Sequence, residues 1–161
     1  MEKQYNRNAV ISYAKKWAYL RNPKYLNFDP YGGDCTNFAS QCIYAGSKVM
    51  NYSLLKGWFY INGNNKSASW TGVEFLYNFL VNNKKNGPVG KKVNSNEVYP
   101  GDLAQLSFDG RVFGHSLIIL NHSDNMSEIK VSTHTYDSYG KKIGEYEFKK
   151  IRFVHIEKVR Y

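Results

Sequence analysis

At 161 residues the chain suits one domain, and 42% hydrophobic content with only four prolines supplies apolar material for one sizeable core. No run of about 18 apolar residues occurs, and the polar opening Met1-Glu2-Lys3-Gln4 reads as neither a membrane span nor a signal peptide. The 22 Lys and Arg outnumber 13 Asp and Glu to give a net charge of +9, which favours anionic partners: cell-wall polymers, lipid surfaces or nucleic acid.

Val10, Tyr13, Ala14, Trp17 and Leu20 recur at helical spacing after Asn8, an N-cap residue type, and Pro23 closes the pattern. Residues 22 to 34 read as a loop, because Pro23, Pro30 and the Gly32-Gly33 pair deny it regular structure. A second helix opens near Cys35 and sets Phe38, Ala39, Cys42, Ile43 and Gly46 on one buried side, with Cys42 as an inert core thiol. Residues 48 to 69, rich in Asn, Gly, Ser and aromatics, form a long irregular excursion. It either holds substrate or is pinned to the core by Trp58 and Phe59.

Thr71-Gly72-Val73-Glu74 matches a capping box, and Val73, Leu76, Tyr77 and Leu80 carry a third helix that ends before Gly87-Pro88. The period then changes. Leu103 to Phe108, the Asp109-Gly110 turn, Arg111 to Phe113 with the His115 strand, Ile129 to His134, Gly144 to Phe148 and Ile151 to Val159 predict a five-stranded antiparallel meander. Helices followed by a sheet define an α+β fold over a single domain, residues 1–161.

Chemistry concentrates at Gly32-Gly33-Asp34-Cys35-Thr36-Asn37-Phe38, where a glycine turn delivers a thiol onto the first turn of a helix. Unpaired N–H groups there favour a thiolate, and a cationic partner favours it further. His115, at the mouth of the apolar run Ser116 to Leu120, supplies the imidazole that takes the thiol proton. If the intervening turn centres near Asp124, antiparallel pairing sets residues 132 to 134 opposite His115. The third, orienting member is then His134, with the carboxylate of Asp137 as the alternative. The backbone N–H of Cys35 is the natural donor to an oxyanion, flanked by Asp34 or Tyr31. Asn37, in the same helical turn, binds either substrate, backbone or solvent. His122 and His155 read as structural.

Cys35 and Cys42 lie about 10 Å apart along one helix, too far for a disulfide. No CxxC or HExxH spacing occurs, so neither a metal site nor a cofactor is expected.

Gly33 to Gln41, Pro100-Gly101-Asp102-Leu103, Gly114 to Ile119, Thr133 to Asp137 and Phe153 to Ile156 together resemble the putative amidase domain family of Gram-positive bacteria, a branch of the papain-like superfamily related to NlpC-type and CHAP cell-wall hydrolases. The resemblance implies a papain-like fold and an amide-bond hydrolase in which Cys35 matches the nucleophile, His115 the base and His134 the third polar member. It also implies a peptide or peptidoglycan substrate and a secreted or wall-associated setting within a longer precursor.

The leading expectation is a cysteine amidase or peptidase that works through a thioester acyl-enzyme. An acyltransferase would use the same residues, and a catalytically silent, tyrosine-rich basic module for wall polymer or nucleic acid is the rival from another class. Nucleic acid is the weaker partner, because the lysines fall in scattered pairs from Lys15-Lys16 to Lys149-Lys150. Oligomeric state is not legible.

Overall fold

The computed structural model describes residues 1–161 as four helices and nine strands. In chain order these are β1 (Glu2–Lys3), α1 (Arg7–Trp17), α2 (Cys35–Ser47), β2 (Tyr60–Asn62), β3 (Asn65–Lys66), α3 (Ala68–Thr71), α4 (Val73–Asn82), β4 (Gly87–Val93), β5 (Leu103–Ser107), β6 (His115–Ile119), β7 (Lys130–Thr133), β8 (Ser138–Lys142) and β9 (Lys150–Arg160). No helix is long and apolar enough to cross a membrane.

The cap of helix α1 lies two residues before the expected one, because the Asn6 side chain accepts the N–H of Ala9 at 3.0 Å. It buries Val10 and Ala14 and carries Lys15 and Lys16 in its last turn, where cations suit the helix dipole. Trp17 ends it, leaving Leu20 exposed. Helix α2 is the central element: all its residues except Tyr44 are buried. Its approach to α1 needs Gly46, since a Cβ there would lie 2.5 Å from Val10 and 2.7 Å from Tyr5. The expected capping box before α4 does not form. Thr71 is the last helical residue of α3, so Gly72 becomes the cap, and the Glu74 carboxylate goes instead to Arg152 at 2.8 Å.

The sheet is α+β in setting and antiparallel throughout its pairings, with seven strands rather than five. The long strand β9 is the reason. It returns to the middle, pairing with β5 and β1 along one side and with β4 along the other. Strands β6, β7 and β8 extend the sheet beyond β5. Gly87-Pro88, read as a helix stop, begins β4 on the sheet edge, where a missing proline N–H is tolerated. The segment Gly144 to Phe148 is not a strand; a 3-10 turn spans Ile143–Glu145, and β8 lies just before it. Residues 111 to 113 form turn and loop, so the strand begins at His115.

Both faces of the sheet are covered. Leu103, Ile118, Val154 and Ile156 face the helices, while Ala104, Leu106, Leu117, Ile119 and Phe153 pack under Val98, Ile129 and Ile143 from the loops. Residues 48 to 69 are anchored by fully buried Trp58, whose ring N–H donates to Ser40 at 3.0 Å and whose ring lies 4.9 Å from that of Trp70. Burying one such aromatic contributes about 2–3 kcal/mol, so this excursion is part of the core rather than a free loop.

A second anchor joins the N-terminus to the sheet. Buried Asp102 accepts from Arg7 at 2.8 Å, from the N–H groups of Tyr99 and Ile156, and pairs with His155 at 2.7 Å. His155 is therefore structural, as is His122, held by the Val98 carbonyl and stacked on Tyr99. Removing one partner of a buried ion pair typically costs about 3–5 kcal/mol. Asp102→Ala is expected to lower unfolding stability by about that amount in urea titrations followed by tryptophan fluorescence, and a loss below about 1 kcal/mol would contradict this anchoring role.

Candidate active site

The glycine turn before α2 is shaped by Gly32 and Gly33, at φ 101° and 113°, a region other residues enter at a cost. It brings Asp34 under the sheet and starts α2 at Cys35. Thr36 Oγ1 lies 3.0 Å from Ser116 Oγ, bolting this turn of α2 to β6 directly beside His115. A buried chain continues from Ser116 through Gln105 to Arg152 and on to Glu74. That chain fixes the depth at which β6 meets the helix.

Cys35 is 8% exposed. Burial pushes its thiol above the ordinary range, opposed by the N–H of Ser116 and by the hydroxyl and N–H of Thr36, and reinforced by the nearby Asp34 charge. Position at a helix start predicts a lowered thiol pKa, and that expectation is corrected here. No cation offsets the loss of water around the sulfur. Cys42 is fully buried and pushed higher still by the same cause.

His115 is 6% exposed. Burial, with the positive charge of Lys141 adding to it, brings the imidazole down from 6.5 to about 4. No protein group bonds either ring nitrogen, and neither nitrogen is sealed from solvent. The rings of Phe108 and Tyr146 flank it at 6.1 and 6.3 Å. A cavity of about 290 Å³ opens here, lined by Phe108, His115, Thr135, Tyr136, Lys141 and Tyr146. Cys35 does not line this cavity and no hydrogen bond joins its sulfur to the imidazole; the start of α2 and β6 meet through the Thr36–Ser116 hydroxyl contact.

The structure does not bring His134 to His115. Strands β6 and β7 pair Ile118 with Ser132 and Ile119 with Val131, so the turn centres one residue later than Asp124. His134 instead points under α2. Its Nδ1 lies 2.5 Å from Asp34 Oδ2, its Nε2 donates to the Trp17 carbonyl at 2.8 Å, and its ring stacks on Phe38 at 4.0 Å. Both nitrogens are occupied, so neither orients the other imidazole. Asp137 is also engaged elsewhere, in a two-point pair with Arg21 at 2.9 and 3.0 Å.

The remaining candidates divide similarly. Asp34, fully buried, accepts from the Phe28 N–H and from Asn37 Nδ2, both at 2.8 Å, and does not cap α2. Asn37 is spent on structure: it also donates to the Leu26 carbonyl and accepts from the Trp70 ring N–H. Tyr31 is 70% exposed, with its ring 6.4 Å from that of Phe28. No cluster of three or more His, Cys, Asp or Glu residues is arranged to hold a metal ion.

Sequence reasoning missed Phe108, Thr135, Tyr136, Lys141 and Tyr146, which build the cavity beside His115. No local signal marks them: Thr135 and Tyr136 both adopt left-handed backbone, at φ 61° and 59°, in a short connection between two strands, where glycine or asparagine is the usual sign of such a turn.

With this geometry in view, residues 4–156 match the family described as "Putative amidase domain", and the chain belongs to that family. It is 33% identical over 139 residues to the uncharacterized protein YhbB of Bacillus subtilis (strain 168), an alignment covering 84% of this chain and 43% of YhbB. The chain thus spans less than half the length of that relative. No solved structure matches.

The His115 environment has a stability signature. Above pH 6.5 the imidazole is neutral in both folded and unfolded chains. As pH falls from 6.5 toward 4 the unfolded chain takes up a proton that the folded protein refuses, so stability is lost across that window. The full loss is roughly 3 kcal/mol. An NMR titration is expected to place the His115 midpoint near 4, and His115→Gln to flatten the corresponding part of the stability profile; a midpoint near 6.5 would refute the assignment.

Proposed function

We propose that this domain is a papain-like cysteine amidase that hydrolyses an amide bond in a peptide, with the peptide portion of peptidoglycan as its substrate class. One observation carries the reading. Thr36, next in sequence to Cys35, has its hydroxyl 3.0 Å from that of Ser116, which is next in sequence to a histidine whose ring nitrogens have no protein partner and reach solvent. A thiol against the start of the strand that bears an unengaged base is the minimum apparatus for acyl transfer.

Chemistry would begin from a neutral pair, since the thiol is pushed up and the imidazole down. Sγ attacks the carbonyl carbon as its proton passes to His115. The backbone N–H of Cys35, at a helix start that Asp34 leaves uncapped, stabilises the oxyanion. The C–N bond breaks, the amine leaves with the proton from His115, and a thioester remains. Water then adds, giving its proton to His115, and the acid departs as the thiol is restored.

In this scheme His134 and Asp137 are positioning residues that hold the turn between β7 and β8. The net charge of +9 supports retention at anionic wall polymer outside the cell, and the family description supports amide hydrolysis in particular.

Digestion of purified peptidoglycan, with mass analysis of released fragments, tests the reading. Cys35→Ala and His115→Ala are each expected to lower kcat/KM by about 10³-fold or more at unchanged melting temperature. Hydrolysis retained by Cys35→Ala would overturn it.

A further inference from the structure

Beside His115 the cavity contains one formal charge, Lys141, and no carboxylate among its lining residues. Lys141 Nζ forms no salt bridge or hydrogen bond with the protein and sits 4.2 Å over the Tyr146 ring. Its neighbour Lys142, by contrast, is paired with Glu128 at 2.7 Å. The cavity's other walls are aromatic: Phe108 and Tyr136 are 53% and 94% exposed, large for apolar rings at the mouth of a pocket.

The wall carrying Tyr136 is built at a cost. Consecutive non-glycine residues in left-handed backbone cost of order 1–2 kcal/mol each, and such strain persists only where surrounding contacts impose it. Three contacts do so here. Thr135 Oγ1 accepts the Asp34 N–H at 3.1 Å, His134 is held by Asp34, and Asp137 is held by Arg21. The turn is thereby tied to the residues just before Cys35, with Thr135 lining the cavity and Tyr136 standing at its edge.

We propose that this cavity is a specificity subsite for a carboxylate on the residue flanking the scissile amide, with Lys141 as its counter-ion and Phe108, Tyr136 and Tyr146 as the aromatic walls around that residue. The inference rests on the amidase reading for its catalytic meaning but not for binding itself. A volume of about 290 Å³ accommodates a single residue-sized group. Half-buried against the Tyr146 ring and without a protein counter-ion, the ammonium favours a carboxylate over its neutral isostere. There is a catalytic corollary. Burial is the larger cause that holds the His115 imidazole down and the Lys141 charge the smaller; a bound carboxylate offsets the smaller one and raises the basicity of His115 when the preferred ligand is present.

Two matched pairs of acetylated dipeptides test this: acetyl-Ala-Ala against its C-terminal amide, and amide-capped acetyl-Ala-Glu against acetyl-Ala-Gln. Binding is followed by the His115 ring signals in NMR titrations, and hydrolysis is measured in parallel. The carboxylate member of one pair is expected to bind at least about tenfold more tightly, which also tells a terminal from a side-chain carboxylate. That preference is expected to vanish in Lys141→Met and persist in Lys141→Arg, with KM for the preferred peptide raised, and the His115 midpoint is expected to rise on binding. Equal affinities within both pairs, or a preference unchanged in Lys141→Met, would overturn the subsite. Failure of the amidase reading is distinguishable: carboxylate preference without hydrolysis leaves the subsite standing and removes only the chemistry.

Discussion

The buried carboxylate of Asp34 is the interaction on which this architecture turns. It has no contact with water, yet its oxygens meet the Phe28 N–H, the Asn37 amide and His134, with the Arg21 guanidinium 3.7 Å away. A charge removed from water is tolerable only when hydrogen bonds replace its hydration, and here each replacement comes from a different part of the chain. The loop after α1, the first turn of α2 and the turn between β7 and β8 are thereby drawn to one point. Cys35 follows Asp34 directly, so the position of the thiol is a consequence of how that carboxylate is satisfied.

Two buried histidines of this region differ in what their nitrogens meet. His134 has both nitrogens engaged and a ring face covered by Phe38, so its proton positions are committed to holding the fold. His115 is almost as buried but has no bonding partner, and its nitrogens reach the cavity. A buried imidazole whose nitrogens bond no protein group stays neutral, because nothing replaces the water that would stabilise its charged form. The Cys35 thiol is likewise pushed toward its neutral form by burial. Both side chains are therefore uncharged near neutral pH.

Legibility from sequence followed the range of the interactions involved. Helices α1, α2 and α4 and strands β5, β6, β7 and β9 declare themselves by apolar periodicity, a property of neighbouring residues. Strand β4 was hidden because Gly87-Pro88 reads as a helix stop, and its pairing partner lies at the far end of the chain in β9. Strand β8, Ser138 to Lys142, is half-buried throughout and shows no alternation to betray it. Glu74 satisfied the local rule for a capping box yet found a stronger partner in Arg152, whose guanidinium is itself sandwiched near Tyr77 and Phe113.

What the sequence determined by itself is where Cys35 and His115 sit along the chain's elements: paired glycines force the turn ahead of Cys35, and the apolar run after His115 makes its strand. Both outcomes depend on backbone sterics and on side chains a few positions apart. Only the tertiary structure decided which polar group each one meets. The partners of His134 and Asp137 lie 100 and 116 positions away, at Asp34 and Arg21, and a shift of one residue in strand register redirects such pairings. Local pattern specifies where a side chain sits along its element, whereas packing between elements specifies what faces it.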